Sequence, residues 1–149
     1  MVRFAALLAI SLRLLPQSRA QLPDEAALTL SPDTVFPVSP RDGAVHEILR
    51  EDVDPLILSN SGSVVLAIAP GWYSNRRKLR ENLSGLASER AGIDFYIIDD
   101  VELGPHSSKL RVFSYPTVLA FQGGEHIARL QGLQSAQSYA SWIDATFAN

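Results

Sequence analysis

The chain has 149 residues, a length that suits one domain. Apolar side chains make up 46% and charged ones 19%, which excludes an intrinsically disordered chain. No cysteine is present, which excludes thiol chemistry and disulfides, and the formal charge is −3.

Residues 1–20 read as a signal peptide rather than as part of the fold. Arg3 opens a charged start, Phe4 to Leu12 is apolar, and Pro16 breaks the run. Ser18-Arg19-Ala20 then places small residues at the cleavage-determining positions before Gln21. The apolar run is too short for a membrane anchor, which needs about twenty residues. The alternative is an uncleaved core helix, but the proline-rich stretch that follows leaves it little to pack on. Removing 1–20 takes away three arginines and no acid, leaving 10 basic against 16 acidic side chains, a net of about −6. So acidic a domain is a poor nucleic-acid binder. The expectation is an exported protein: secretory pathway (endoplasmic reticulum lumen or secreted) in a eukaryote, periplasm in a bacterium. No stable membrane insertion is expected after cleavage.

Residues 21–43 carry Pro23, Pro32, Pro37 and Pro40 among Ser, Asp and Thr, and read as an extended leader. The domain proper spans 44–149. Ala44 to Leu49 is a short strand candidate. Glu51-Asp52-Val53-Asp54-Pro55 starts a helix, with acids where they suit the helix dipole. Val53, Leu56, Ile57 and Asn60 share one of its faces. Val64 to Ala69 is continuously apolar, the mark of a strand covered on both sides. Pro70-Gly71 ends it. Ser74 or Asn75 can cap a helix running to about Arg90, with Leu79, Leu83, Leu86 and Ala87 inward. Ile93 to Ile98 is a second covered strand.

Residues 101–113 read as a loop with one short helix, Ser107 to Val112. Ser114-Tyr115-Pro116-Thr117 then leads into an apolar run, the pair Gly123-Gly124, and a last strand, His126 to Gln131. A proline cannot donate to a ladder, so Pro116 belongs at the start of its strand or on an edge. The glycine pair supplies the positive φ of a tight hairpin. From these residues alone an ordinary trans proline is the favoured reading. Ser135 caps a final helix with Ala136, Tyr139, Trp142, Ile143 and Phe147 in one stripe. The order β-α-β-α-β-α-β-β-α makes an α/β fold with a mixed sheet and helices on both faces.

Several separated motifs in this order resemble the thioredoxin family, the thioredoxin and protein disulfide isomerase a-type domains. Pro70 followed by Trp72 is similar to the Ala-Pro-Trp before the family's Cys-x-x-Cys. Tyr115-Pro116-Thr117 resembles its Ile-Pro-Thr element, whose proline is cis, so the resemblance implies a cis Pro116. Phe121-Gln122-Gly123-Gly124-Glu125 resembles its Phe-x-x-Gly-Glu hairpin, and Gly132 sits at its next glycine. The resemblance covers about 45–149 and implies a thioredoxin fold.

The departures concern chemistry. With Trp72 aligned and Gly71 inserted, Tyr73, Ser74, Asn75 and Arg76 replace Cys-x-x-Cys; without the insertion the tetrad is Trp72 to Asn75. The family's buried carboxylate falls on Leu66 or Ala67, and its helix-kinking proline on Glu81 or a neighbour. Thiol–disulfide exchange is not expected. The family's peptide groove needs no sulfur, and the resemblance places Trp72, Tyr73, Ser114, Tyr115, Pro116 and Thr117 along it. Three aromatics with a polar rim suit an extended polypeptide. They equally suit half-buried packing.

Arg76, Arg77, Lys78 and Arg80 form a dense basic cluster at the wrong end of a helix dipole, which reads either as a docking patch or as a solvated face. Asn82-Leu83-Ser84 is a glycosylation sequon inside that helix. His46, His106 and His126 have no metal-ligand spacing, and no metal or cofactor is expected. Asp99, Asp100 and Glu102 read as a solvated loop. The expected function is a redox-inactive binding module for polypeptide partners, chaperone-like or an assembly factor, and not an enzyme. The alternatives are a glutathione-dependent enzyme, which Tyr73 or Ser74 at a helix N-terminus suggests, and a purely structural subunit.

Overall fold

In a computed structural model the described residues are 40–148. The expected signal peptide and nearly all of the expected leader lie outside them. Among the described residues no helix is long and apolar enough to cross a membrane.

Five strands form one mixed sheet in the order β1-β3-β2-β4-β5. They are β1 (Val45–Ile48), β2 (Ser63–Ile68), β3 (Ile93–Ile98), β4 (Thr117–Gln122) and β5 (Glu125–Gln131). β1 and β2 both run parallel to β3, and β4 runs antiparallel to β2 and to β5. β2 and β3, apolar apart from Ser63 and the buried Asp94, are central because both of their faces are covered. Val65, Ala67, Phe95, Ile97 and Val118 point to one layer, while Val64, Leu66, Ile68, Tyr96, Ile98, Leu119 and Phe121 point to the other. This is the two-residue alternation of a pleated strand.

The first layer is closed by α1 (Arg76–Glu89) and by a C-terminal helix, Ala136–Phe147. Leu79, Leu83, Leu86 and Ala87 of α1 face inward as their spacing predicts. α1 runs unbroken through Glu81. Ser135 caps the last helix by accepting the Ser138 amide hydrogen at 3.1 Å. Tyr139 and Ile143 of its stripe are buried, but Ala136 is exposed, a correction: as the first residue after the cap it lies beyond the edge of the core.

The second layer departs more from expectation. The first helix is a 3-10 turn, Arg50–Asp52, followed by a π-helical segment, Asp54–Leu58. Pro55 sits near the start of that segment, and the Ser59 amide reaches back five residues to Asp54 at 2.8 Å. The wider turn still buries Val53, Ile57 and Asn60. The single helix expected over 107–112 is replaced by α2 (Asp100–Leu103) and α3 (His106–Lys109), so the C-terminal helix is α4. Gly104, at φ +54, and Pro105 separate α2 from α3, and Arg111, at φ +56, ends the turn that follows.

The hairpin has the expected form. Gly123 and Gly124 have φ +61 and +82, and the Gly123 amide donates to Gly62 at 3.0 Å. The Tyr115–Pro116 bond is cis and stands immediately before β4.

Candidate functional site

Where β2, β3 and β4 end together, the ladder sets the site. Ile68 lies opposite both Ile98 and Thr117, so Ala69, Asp99 and Pro116 are the next residues off the sheet. In open sheets the crevice beyond the carboxyl ends of parallel strands is the usual ligand position. Pro116 is buried and its carbonyl accepts the Gly132 amide at 2.8 Å. Gly132 is itself held by the Tyr139 hydroxyl at 3.1 Å, and Thr117 donates to the Ser114 carbonyl at 2.7 Å. The Pro116 wall is therefore built on the buried Tyr139 of α4.

The opposite wall is the loop 70–75. Tyr73 donates its amide to Pro70 at 3.0 Å and packs its ring against the core layer of α1 and α4. Trp72 turns outward and is 76% exposed. Asn75 occupies the capping position of α1 but its side chain makes no capping bond, which corrects the expectation for Ser74 or Asn75. The loop is instead held from β3: Asp99 Oδ2 accepts the Gly71 amide at 2.7 Å.

Asp99 also caps α2 through the Val101 amide at 3.0 Å. That bond, the largest influence, outweighs burial and with Asp100, Gly71 and Arg76 holds Asp99 below the usual carboxylate range. Asp99 is a structural residue and not part of a solvated loop, which corrects the expectation for Asp99. Asp99-Asp100-Val101-Glu102 has the spacing of a capping box, a signal that was there to be read. Tyr115 is half-buried, and burial, then Asp100 and Asp99, push its hydroxyl above the ordinary tyrosine value.

The basic cluster divides. Arg76 donates to Glu47 at 2.9 Å and to the Ala69 carbonyl at 3.1 Å, and Arg80 reaches the same Glu47 at 3.2 Å. Arg77 pairs along the helix with Glu81 at 3.2 Å. Arg76 and Arg80 thus fasten β1 to α1, while Arg77 and Lys78 face outward. A hollow of about 390 Å³ lies beside them, lined by Gly71, Tyr73, Ser74, Arg76, Arg77 and Arg80. The Asn82 side-chain nitrogen donates to the Gln134 carbonyl at 2.9 Å, so the sequon's acceptor atom is engaged between α1 and the α4 entry. Leu66 and Ala67, the two residues on either of which the resemblance puts a buried acid, are fully buried in apolar surroundings. Among the described residues no His, Asp and Glu group is placed to hold a metal.

The sequence reading also missed Phe113, in the loop that leads into Pro116, whose ring is 79% exposed. Nothing in residue type distinguishes an exposed from a buried phenylalanine. The arrangement has no thiol. It offers apolar rings beside backbone at the end of a sheet.

No family model and no curated protein matches the sequence. Among solved structures the chain is similar to the N21Q mutant thioredoxin from Halobacterium salinarum NRC-1, at 21% identity and a TM-score of 0.61, over 76% of this chain and 97% of that one. The chain therefore has the thioredoxin fold, and it carries none of the cysteines on which thiol–disulfide exchange depends.

Proposed function

We propose that this domain binds extended or unfolded polypeptide at the Trp72–Pro116 end of the sheet, as a redox-inactive chaperone or assembly factor of an export pathway. The observation that carries the reading is Trp72, three-quarters exposed on a loop fastened by Asp99. A large apolar ring held in water on a fixed backbone costs solvation unless a partner covers it. Tyr115 and Pro116 stand across the sheet end from that loop, and aromatic anchors of this kind dominate polypeptide recognition. Such binding needs no sulfur, only a backbone edge and pockets for side chains. Export rests on the sequence of residues 1–20 alone. The test is a titration of the labelled protein with a reduced, unfolded polypeptide, followed by amide shifts. Saturable shifts at residues 70–75 and 113–117 support the reading; shifts elsewhere, or none, refute it.

A second reading is favoured by the 390 Å³ hollow, where Tyr73 and Ser74 adjoin three arginines. Anionic carboxylates of a peptide thiol such as glutathione would suit that charge. Arg76 and Arg80 are already turned to Glu47, which leaves Arg77 as the outward donor. Calorimetry with glutathione decides: heat of binding supports an enzyme-like site, and its absence removes it.

A further inference from the structure

The loop 109–113 and one face of β5 line an open hollow of about 610 Å³, which shares only Phe113 with the sites described above. Its lining is Lys109, Arg111, Phe113, His126, Arg129 and Gln131. No carboxylate is among them, although the chain as a whole is acidic. Four other arginines give a contrast. Arg76, Arg77, Arg80 and Arg90 each pair with a carboxylate, whereas Lys109, Arg111 and Arg129 make no ion pair among the described residues. Three uncompensated cations in one concavity focus a positive potential.

Two backbone features gather these side chains. In a regular strand His126 and Arg129 would face opposite sides, because faces alternate. A register shift between Ala120 and Phe121 inserts one residue in β5, so His126 lies opposite Phe121 and Arg129 opposite Leu119, both on the same sheet face. Bulges commonly re-aim side chains in this way. Arg111 is the second feature, a non-glycine residue at φ +56 immediately after the α3 turn. Glycine is the usual occupant of such a position, and another residue there costs about 1 kcal/mol. Arg129 donates to the Arg111 carbonyl at 2.7 Å and to the Leu110 carbonyl, which locks the loop. The Arg111 and Lys109 side chains are left exposed.

His126 is tied by Nε2 to the Ala128 carbonyl at 3.0 Å and lies against Phe121. Burial, helped by Arg129, lowers its pKa, so near neutral pH it leaves Nδ1 as an acceptor. Phe113 lines the same hollow and is 79% exposed.

We infer that this hollow binds a small organic phosphate carrying a flat ring, with the phosphate on Lys109 and Arg111 and the ring against Phe113. Arg129 adds charge without leaving its carbonyls. A phosphate monoester, near two negative charges, balances three cations better than a single carboxylate does. The volume suits a ligand of nucleotide size.

The test is an amide-shift titration of the intact protein with AMP, with adenosine and inorganic phosphate as separate arms. AMP is expected to shift residues 109–113 and 126–131 saturably, and more tightly than either arm. Lys109→Glu with Arg111→Glu should weaken AMP at least about tenfold, the scale of a lost charged hydrogen bond. Arg111→Gly keeps the loop, because glycine accepts φ +56, and should still weaken binding. No saturable shift with AMP overturns the inference. So does full AMP affinity in Arg111→Gly and in the double glutamate variant.

Discussion

Asp99 Oδ2 accepts the Gly71 amide hydrogen at 2.7 Å, and a Cβ on Gly71 would stand 2.9 Å from that same oxygen. One carboxylate therefore both caps α2 and holds the loop that presents Trp72. The residue that looked like an insertion is the one whose lack of side chain permits the bond.

Gly71→Ala should push Asp99 away and release the loop, and Asp99→Ala should remove the cap as well. Each is expected to cost about 1–2 kcal/mol in a denaturant titration. The pH dependence has a definite sign. Asp99 titrates below its ordinary value when folded, so its contribution is complete above the ordinary carboxylate range and is lost as pH falls through the folded value. The acid limb of the stability curve should be shallower in Asp99→Ala than in the parent.

Gly123 and Gly124 should behave differently although both have positive φ. A Cβ at Gly123 meets nothing within 4 Å, while one at Gly124 would fall on the Leu58 carbonyl oxygen. Gly123→Ala is expected to cost about 1 kcal/mol from φ alone. Gly124→Ala should cost at least about 2 kcal/mol more, because backbone must move. Thermal unfolding of the two variants measures the difference.

Glu47 gathers Arg76 and Arg80. The Arg76 hydrogen bond, first among its influences, holds it below the usual carboxylate range, so its contribution is also lost on acidification. The glutamate side chain is nearly half exposed, and screening limits Glu47→Gln to about 0.5–1 kcal/mol, shrinking with added salt. Arg77→Glu with Lys78→Glu should leave stability within about 0.5 kcal/mol, since both point outward. Those two, rather than Arg76, are the positions at which to probe the cluster for docking.

Insulin reduction should not rise above buffer at any pH, since the chain supplies no thiolate. Turnover of insulin disulfides by pure protein would contradict this directly.

Much of this was legible in the sequence, for physical reasons that differ by element. The run 64–69 announces a covered strand because nothing polar interrupts it, 93–98 does so despite Asp94, which the fold buries, and Leu79, Leu83 and Ala87 announce the inward face of α1 by spacing. Pro116 fixes its own φ, and the Gly123-Gly124 pair admits the positive φ that a tight hairpin needs, so each marks its turn in the sequence. The region 99–113 was poorly legible. Its two short turns depend on Asp99 and on φ at Gly104 and Arg111, not on periodicity. The roles of Arg76 and Arg80 were hidden because their partner, Glu47, is about thirty residues away in sequence. The hollow at Lys109, Arg111 and Arg129 depends on a one-residue bulge that no pattern in 125–131 reveals.

The most direct measurement of polypeptide binding at the sheet end is light scattering of insulin reduced by dithiothreitol, with the parent protein and with Trp72→Ala. Trp72 is exposed, so its replacement should leave stability within about 0.5 kcal/mol. If the Trp72–Pro116 end of the sheet holds clients, the parent delays aggregation and Trp72→Ala, equally folded, loses most of that delay. If Trp72→Ala protects as well as the parent, or the parent gives no delay, that end of the sheet is not a client site.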